Sequence, residues 1–117
     1  RKELTKKELH TILKKGLNTS FISSEYGMTE LLSQAYSFAN GLFKTGTTMR
    51  VLIREVNDPF NYIEDGKTGG INVIDLANVN SCSFIATQDL GKILPEGFEL
   101  MGRFDNADIR GCNLLVH

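Results

Sequence analysis

The sequence predicts an α+β fold, with one N-terminal helix followed by a small, mostly antiparallel β-sheet or an open barrel. A helical pattern with a capping signal occurs only near the start of the chain. The rest consists mainly of short runs of β-branched and apolar residues, separated by Gly, Pro, Asn and Asp. The length of 117 residues fits one domain, or a compact piece of a larger one.

The predicted helix spans about residues 6–15. Thr5 and Glu8 have the spacing of a capping box, in which the hydroxyl and the carboxylate each accept a backbone N–H of the first turn. Apolar residues follow at helical spacing, at Leu9, Ile12 and Leu13. Gly16 is expected to end the helix, as glycine often does at a C-terminus.

The strands are predicted from β-branched runs and from the turn residues between them. A brief strand begins at Phe21 and delivers the segment Tyr26–Glu30 at its end. Residues 31–38 fit either one helical turn or an irregular loop, and periodicity does not decide between them. Further strands are predicted at residues 49–56, 71–76, 83–87, 98–101 and 113–116. Turns are predicted at residues 57–59 and 65–70, at Gly91, at residues 95–97 and at Gly111.

Composition excludes several function classes. The net charge of −1 and the pI near 6.1 indicate no nucleic-acid partner. No apolar run approaches the roughly 20 residues of a membrane helix, so no membrane partner is expected. Cys82 and Cys112 are too few for a disulfide scaffold, which favours a reducing, cytoplasmic location. The chain begins at Arg1 and stops at His117 without a tail, so residues 1–117 are interpreted as a single fragment of a longer protein.

A possible phosphate loop at Gly66, Lys67 and Thr68 is rejected. A P-loop requires a further Gly five residues before Gly66, and that position is Asn61. No helical pattern follows Thr68 either. The segment is therefore predicted to be a hairpin turn.

The segment Tyr26–Glu30 combines groups that suit a nucleotide. Tyr26 offers an aromatic ring to a base, and Gly27 permits close approach of the backbone. Thr29 supplies a hydroxyl donor for a phosphate, and Glu30 supplies a carboxylate ligand for Mg²⁺. The segment is therefore a candidate site for a nucleotide and Mg²⁺.

Two later segments carry groups that bind sugars and phosphates. Asp89 follows a predicted strand, and a carboxylate there can accept hydrogen bonds from both hydroxyls of a ribose. Arg103 presents several fixed donors to a ribose or a phosphate, and Asp105 can cap a turn. Taken singly, each is better explained as an ordinary turn or surface residue.

Taken together, the three segments resemble the motifs of the adenylate-forming superfamily in order and separation, over about residues 21–116. The resemblance implies the C-terminal portion of such an enzyme's large domain. It implies that Tyr26 stacks on adenine, that Thr29 bonds a phosphate and that Glu30 holds Mg²⁺. It also implies that Asp89 binds the ribose hydroxyls and that Arg103 contacts the nucleotide. The resemblance further implies that Asp105 lies at the hinge before a C-terminal lid. Two departures are Gln88, where Gly is usual, and a short stretch after Gly102 that weakens Asp105 as a hinge.

The segment from Arg110 to Val116 resembles the acyl-protein synthetases of the bacterial bioluminescence fatty-acid reductase complex. That resemblance makes Cys112 the acyl acceptor, although a small buried apolar residue is an equal alternative. It implies ATP-dependent activation of a carboxylic or fatty acid, with transfer to a protein thiol and an acyl reductase as partner. Two alternatives stay open: an acyl- or aryl-CoA ligase similar to phenylacetate-CoA ligase, with CoA as acceptor, and a non-catalytic interaction module with vestigial nucleotide motifs.

Overall fold

The computed structural model describes residues 4–38 and 40–104. Within them lie one α-helix and seven strands, which confirms the α+β prediction. The helix α1 spans Lys6–Gly16. The strands are β1 Ser23–Tyr26, β2 Ala35–Phe38, β3 Leu42–Thr45, β4 Met49–Arg54, β5 Gly69–Asp75, β6 Phe84–Leu94 and β7 Gly97–Arg103. A short 3₁₀ turn, Leu76–Asn78, follows β5. The helix of this part of the chain is not long and apolar enough to cross a membrane.

All seven strands form one open antiparallel sheet in the order β1-β2-β3-β7-β6-β5-β4. Strand β7, the last strand of the described residues, pairs with β3 on one side and with β6 on the other. It therefore joins the hairpins of the first half to those of the second half. Asp89 on β6 is the direct cross-strand partner of Arg103 on β7.

The core forms from the strand faces that alternate inward. On β4, Met49, Val51 and Ile53 are buried, whereas Arg50 between them is exposed. Such period-two burial stabilises a sheet because every second side chain leaves water, at about 1.5–3 kcal/mol for a large apolar residue. Three aromatic rings complete the core at the other end of the sheet, those of Tyr26, Phe43 and Phe98.

Helix α1 begins as the sequence predicts and ends later. The Thr5 hydroxyl accepts the Glu8 N–H at 3.3 Å, and the Glu8 carboxylate accepts the Thr5 N–H at 2.8 Å, which confirms the capping box. Gly16 is still helical, and the residue with a left-handed backbone is Asn18, at φ 50°. The prediction that Gly16 caps the helix is therefore wrong, because a left-handed Asn two positions on completes the turn instead.

Residues 31–38 were predicted to be a helical turn or a loop, and that prediction is wrong for β2. Ala35 and Ser37 are buried, whereas Tyr36 and Phe38 on the other face are exposed. Aromatic residues on the solvent face hide the usual polar alternation, so the sequence pattern gave no strand signal. Strand β3 was missed altogether, because its pairing with β7 joins residues far apart in the chain.

The turn predicted at Gly91 is also wrong. Strand β6 runs on to Leu94, and Gly91 lies opposite Gly69 at an irregular step in the ladder. A Cβ on Gly91 would lie 2.6 Å from the Glu99 carbonyl oxygen, so glycine is required there for close packing. By contrast, the turn at Gly66 is confirmed, with φ 86° and strand β5 after it. The strand predicted at residues 113–116 and the turn at Gly111 lie outside the described residues.

Candidate functional site

The predicted site residues that the structure describes line one cavity of about 680 Å³. Three parts of the chain form it: residues 25–30 at the end of β1, residues 85–89 of β6, and Leu100, Gly102 and Arg103 of β7. In the sheet, β1 and β6 are separated by the three strands β2, β3 and β7. The sheet must therefore curl to bring Tyr26, Gly27, Thr29 and Glu30 to the cavity that Asp89 and Arg103 also line.

Asp89 makes three polar contacts within the cavity wall. Its carboxylate accepts a hydrogen bond from the Tyr26 hydroxyl at 2.8 Å. Its other oxygen lies 3.4 Å from Nε of Arg103, whose side chain is 74% exposed against 13% for Asp89. The Asp89 N–H donates to the Thr87 hydroxyl at 3.1 Å, and that hydroxyl donates to the Ile71 carbonyl. Asp89 is thus held by Tyr26 of β1 and by Thr87 of its own strand, and only its contact with Arg103 is loose.

Tyr26 joins the aromatic core to the cavity. Its ring meets those of Phe43 and Phe98 edge-on, with centroids 6.1 Å and 5.4 Å away, and the residue is only 5% exposed. Burial, and then the hydrogen bond to Asp89, raise the pKa of the Tyr26 hydroxyl well above its usual value. The phenol therefore stays protonated and donates to Asp89. Little of the ring is open for a base, and its predicted stacking on adenine stays a prediction.

Thr29 and Glu30 lie at the outer wall of the cavity, and both are exposed. Their segment continues in a turn in which the Leu31 N–H donates to the Met28 carbonyl at 3.1 Å. The Glu30 carbonyl accepts a hydrogen bond from the Asn78 amide at 2.7 Å. Among residues 4–38 and 40–104, no group of three or more His, Cys, Asp or Glu can hold a metal ion. Mg²⁺ needs only one or two carboxylates when phosphate oxygens complete its shell, so Glu30 fits such an ion.

Sequence reasoning missed Asp75, which fastens the segment after Glu30. Its fully buried carboxylate accepts four hydrogen bonds, from the N–H groups of Leu32, Ser33 and Ala77 and from the Ser33 hydroxyl. Burial by itself raises the pKa of Asp75, but the bonds from Ser33, Leu32 and Ala77 outweigh it and hold the pKa below its usual value. The available signal was an Asp just before a short turn, which often caps it.

Arg54 was also missed as a support of the cavity wall. Its guanidinium donates to the Ile71 carbonyl at 2.9 Å, to the Asn72 side chain at 2.6 Å and to the Thr87 carbonyl at 2.6 Å. The ladder between β5 and β6 shifts register between Gly70 and Asn72, so Ile71, which pairs with Ile53 on β4, has no partner on β6. Arg54 thus satisfies polar groups that the bulge leaves open.

Cys82 does not line the cavity. Cys82 is a free, exposed thiol whose Sγ lies 3.3 Å from the Phe84 carbonyl oxygen. Cys112, Asp105 and Arg110 lie outside the described residues. The acceptor role of Cys112 and the hinge role of Asp105 therefore stay predictions.

The fold is similar to that of a solved structure, the ATP-bound chimera B3 of RpMatB and BxBclM. The two share a TM-score of 0.55 at 19% sequence identity, over 70% of this chain and 20% of that chain. This chain thus spans about a fifth of the length of that protein. At this identity the likeness shows a shared fold. No protein-family model and no curated protein sequence matches the chain.

Proposed function

We propose that this chain is the nucleotide-binding segment of an adenylate-forming carboxylate ligase. The carrying observation is the convergence of three sequence motifs on one cavity, although their residues extend from Tyr26 to Arg103. Chance motifs have no reason to meet, since a polar residue at an ordinary turn can face any side of the sheet. The similar fold of an ATP-bound protein supports the same interpretation.

The contacts of Asp89 suit it to bind a ribose. One oxygen is held by the buried hydroxyl of Tyr26, which orients the carboxylate. The other oxygen has only the 3.4 Å contact with Arg103, and water competes for this guanidinium because its side chain is 74% exposed. A ribose hydroxyl can therefore replace Arg103 at that oxygen, and the released guanidinium can donate to the ribose or to a phosphate.

Thr29 and Glu30 are proposed to bind the phosphate end. The Thr29 hydroxyl would donate to a phosphate oxygen, and the Glu30 carboxylate would be the protein's ligand to Mg²⁺. When bound, Mg²⁺ offsets the negative charge that develops on the phosphate oxygens. Both side chains are exposed, so neither must be stripped of protein partners before a nucleotide binds.

The proposed reaction has two steps. The carboxylate of the acid attacks the α-phosphorus of ATP, and pyrophosphate leaves with its bonding electrons, so an acyl-adenylate forms. A thiolate then attacks the acyl carbon and AMP leaves, so a thioester forms. Asp89, Arg103 and Thr29 would hold the nucleotide in place through both steps, which is the main contribution a protein makes to such a transfer.

For the acceptor we favour a protein thiol, that of Cys112, with a fatty acid as substrate and an acyl reductase as downstream partner. The basis is the sequence of residues 110–116, and a free thiol acceptor is consistent with the cytoplasm inferred from the cysteine content. The alternative is an acyl- or aryl-CoA ligase of the phenylacetate-CoA ligase type, in which CoA takes the place of Cys112.

The test uses the full-length protein with radiolabelled fatty acid, ATP and Mg²⁺. Label that stays on the protein but is lost in Cys112→Ser supports the acyl-protein synthetase, whereas label found only on added CoA supports the CoA ligase. Asp89→Ala should slow acid-dependent ATP–pyrophosphate exchange by about 10- to 100-fold, the value of hydrogen bonds to a charged group. Asp65→Ala is the matched control, because Asp65 is an exposed carboxylate outside the cavity lining.

Two outcomes would overturn the proposal. Absence of acid-dependent exchange in the wild-type protein would leave a non-catalytic module with vestigial motifs. Equal effects of Asp89→Ala and Asp65→Ala would remove the described cavity from the reaction.

A further inference from the structure

Two buried polar residues outside the cavity hold the segment that carries Thr29 and Glu30. Asn78, which is 7% exposed, donates to the Glu30 carbonyl at 2.7 Å and to the Cys82 carbonyl at 3.0 Å. Asp75 accepts the N–H groups of Leu32 and Ser33 at 2.8 Å and 2.9 Å. The backbone is therefore fastened at residues 30, 32 and 33, directly after the proposed phosphate-binding groups.

The two anchors, Asp75 and Asn78, hold the segment through hydrogen bonds. The Ser33 hydroxyl donates to the Asp75 carboxylate at 2.6 Å and lies 2.9 Å from the Thr48 hydroxyl, so it links the segment to the end of β5 and to the turn before β4. Both Asp75 and Asn78 come from the end of β5 and the 3₁₀ turn after it. Neither residue lines the cavity, so neither can touch a ligand there.

The other half of the cavity is held by different contacts. Asp89 depends on Tyr26, Thr87 and the pairing of β6 with β7. Loss of the anchors at Asp75 and Asn78 would therefore displace Thr29 and Glu30 while Asp89 keeps its position. The two ends of a nucleotide should respond differently to the same substitution.

We propose that Asp75 and Asn78 are positioning residues that set the affinity for the phosphates and Mg²⁺ but not for the nucleoside. This inference rests on the proposed nucleotide-binding function. Supporting residues behind a metal ligand typically change affinity by about 10- to 100-fold when removed. We therefore expect Asn78→Ala to weaken binding of Mg²⁺-ATP by about tenfold or more and to leave binding of adenosine almost unchanged.

The experiment is calorimetric titration of the full-length protein with Mg²⁺-ATP and, separately, with adenosine. The measured quantity is the dissociation constant of Mg²⁺-ATP divided by that of adenosine. A general loss of folded protein changes both constants alike and leaves this ratio unchanged. Ser33→Ala is the milder second variant, since it keeps the backbone bonds to Asp75 and removes only the hydroxyl. Val73→Ala is the control, because it opens a cavity in β5 without touching the anchors.

A rise of this ratio in Asn78→Ala and Ser33→Ala, but not in Val73→Ala, supports the inference. An unchanged ratio in both anchor variants, with a wild-type protein that binds Mg²⁺-ATP, overturns it and leaves the proposed function intact. A wild-type protein that binds neither ligand overturns the proposed function, and the positioning role is then lost with it.

Discussion

Replacing Arg54 by Met should loosen the wall of the cavity from behind. Met keeps an unbranched apolar stem of similar reach but donates no hydrogen bond. The substitution therefore removes the three bonds to Ile71, Asn72 and Thr87 while the packing of the stem is largely kept. The Ile71 carbonyl keeps the bond from the Thr87 hydroxyl, whereas the Thr87 carbonyl belongs to a residue that is only 6% exposed, so water replaces the guanidinium poorly there.

The size of the effect follows from these contacts. A hydrogen bond from a charged donor contributes about 1.5–3 kcal/mol. Arg54 is only half-buried, so water competes for its guanidinium and reduces this contribution. We expect the free energy of opening for β5 and β6 to fall by about 2–4 kcal/mol. Strand β1, at the far edge of the sheet from β4, should change least.

Hydrogen exchange of the full-length protein, followed by mass spectrometry of its peptides, measures this directly. Arg50→Met is the matched control, because Arg50 lies on the same strand, is exposed and makes none of the three bonds. It should change the opening free energy by no more than about 0.5 kcal/mol. Equal protection of β5 and β6 in the two variants would refute the role given to Arg54.

Three further predictions concern stability. Gly91→Ala should lower the free energy of unfolding by about 1–3 kcal/mol, because its Cβ would lie 2.6 Å from a backbone oxygen. Gly16→Ala should raise it by up to about 1 kcal/mol, because the space around this helical residue is open. Thermal unfolding of the two variants measures the sign of both changes. Because the pKa of Asp75 is lowered, the ionised carboxylate stabilises the fold above about pH 4, and this stabilisation is lost as the pH falls through the folded-state pKa. In urea titrations, the difference in unfolding free energy between wild type and Asp75→Asn should therefore shrink only in acid. In urea titrations, Tyr26→Phe should lower the free energy of unfolding by about 1.5 kcal/mol, because it removes the hydrogen bond to Asp89. A change near zero would mean that this bond does not contribute to stability.

Much of the local structure was predictable because it depends on neighbouring residues. The capping box of Thr5 and Glu8, the turn at Gly66 and the alternating strand β4 all follow from contacts or patterns within a few positions. Strands β2 and β3 were not predictable on this basis. Their stability comes from pairing with each other and with β7, and β2 carries apolar side chains on both faces.

The candidate site divides in the same manner. Side-chain chemistry alone identified the groups that could contact a nucleotide, because the hydrogen-bond donors and acceptors of hydroxyl, carboxylate and guanidinium groups follow from residue type. It could not find Asp75, whose main partners, Leu32 and Ser33, are 43 and 42 positions away, or Arg54, whose acceptors belong to β5 and β6. It also could not show that Phe43 and Phe98 pack against the Tyr26 ring and leave that residue only 5% exposed.

The sequence by itself determined the fold class, the start of the helix and the identity of the polar groups in three short segments. Only the tertiary structure decided that these segments face one cavity, that a buried tyrosine holds Asp89 and that Asp75 fastens the segment behind Glu30. The physical reason is the range of the interactions. Caps and turns are decided by residues three or four positions apart, whereas the curl of a sheet and the burial of a carboxylate depend on strands that meet only after folding.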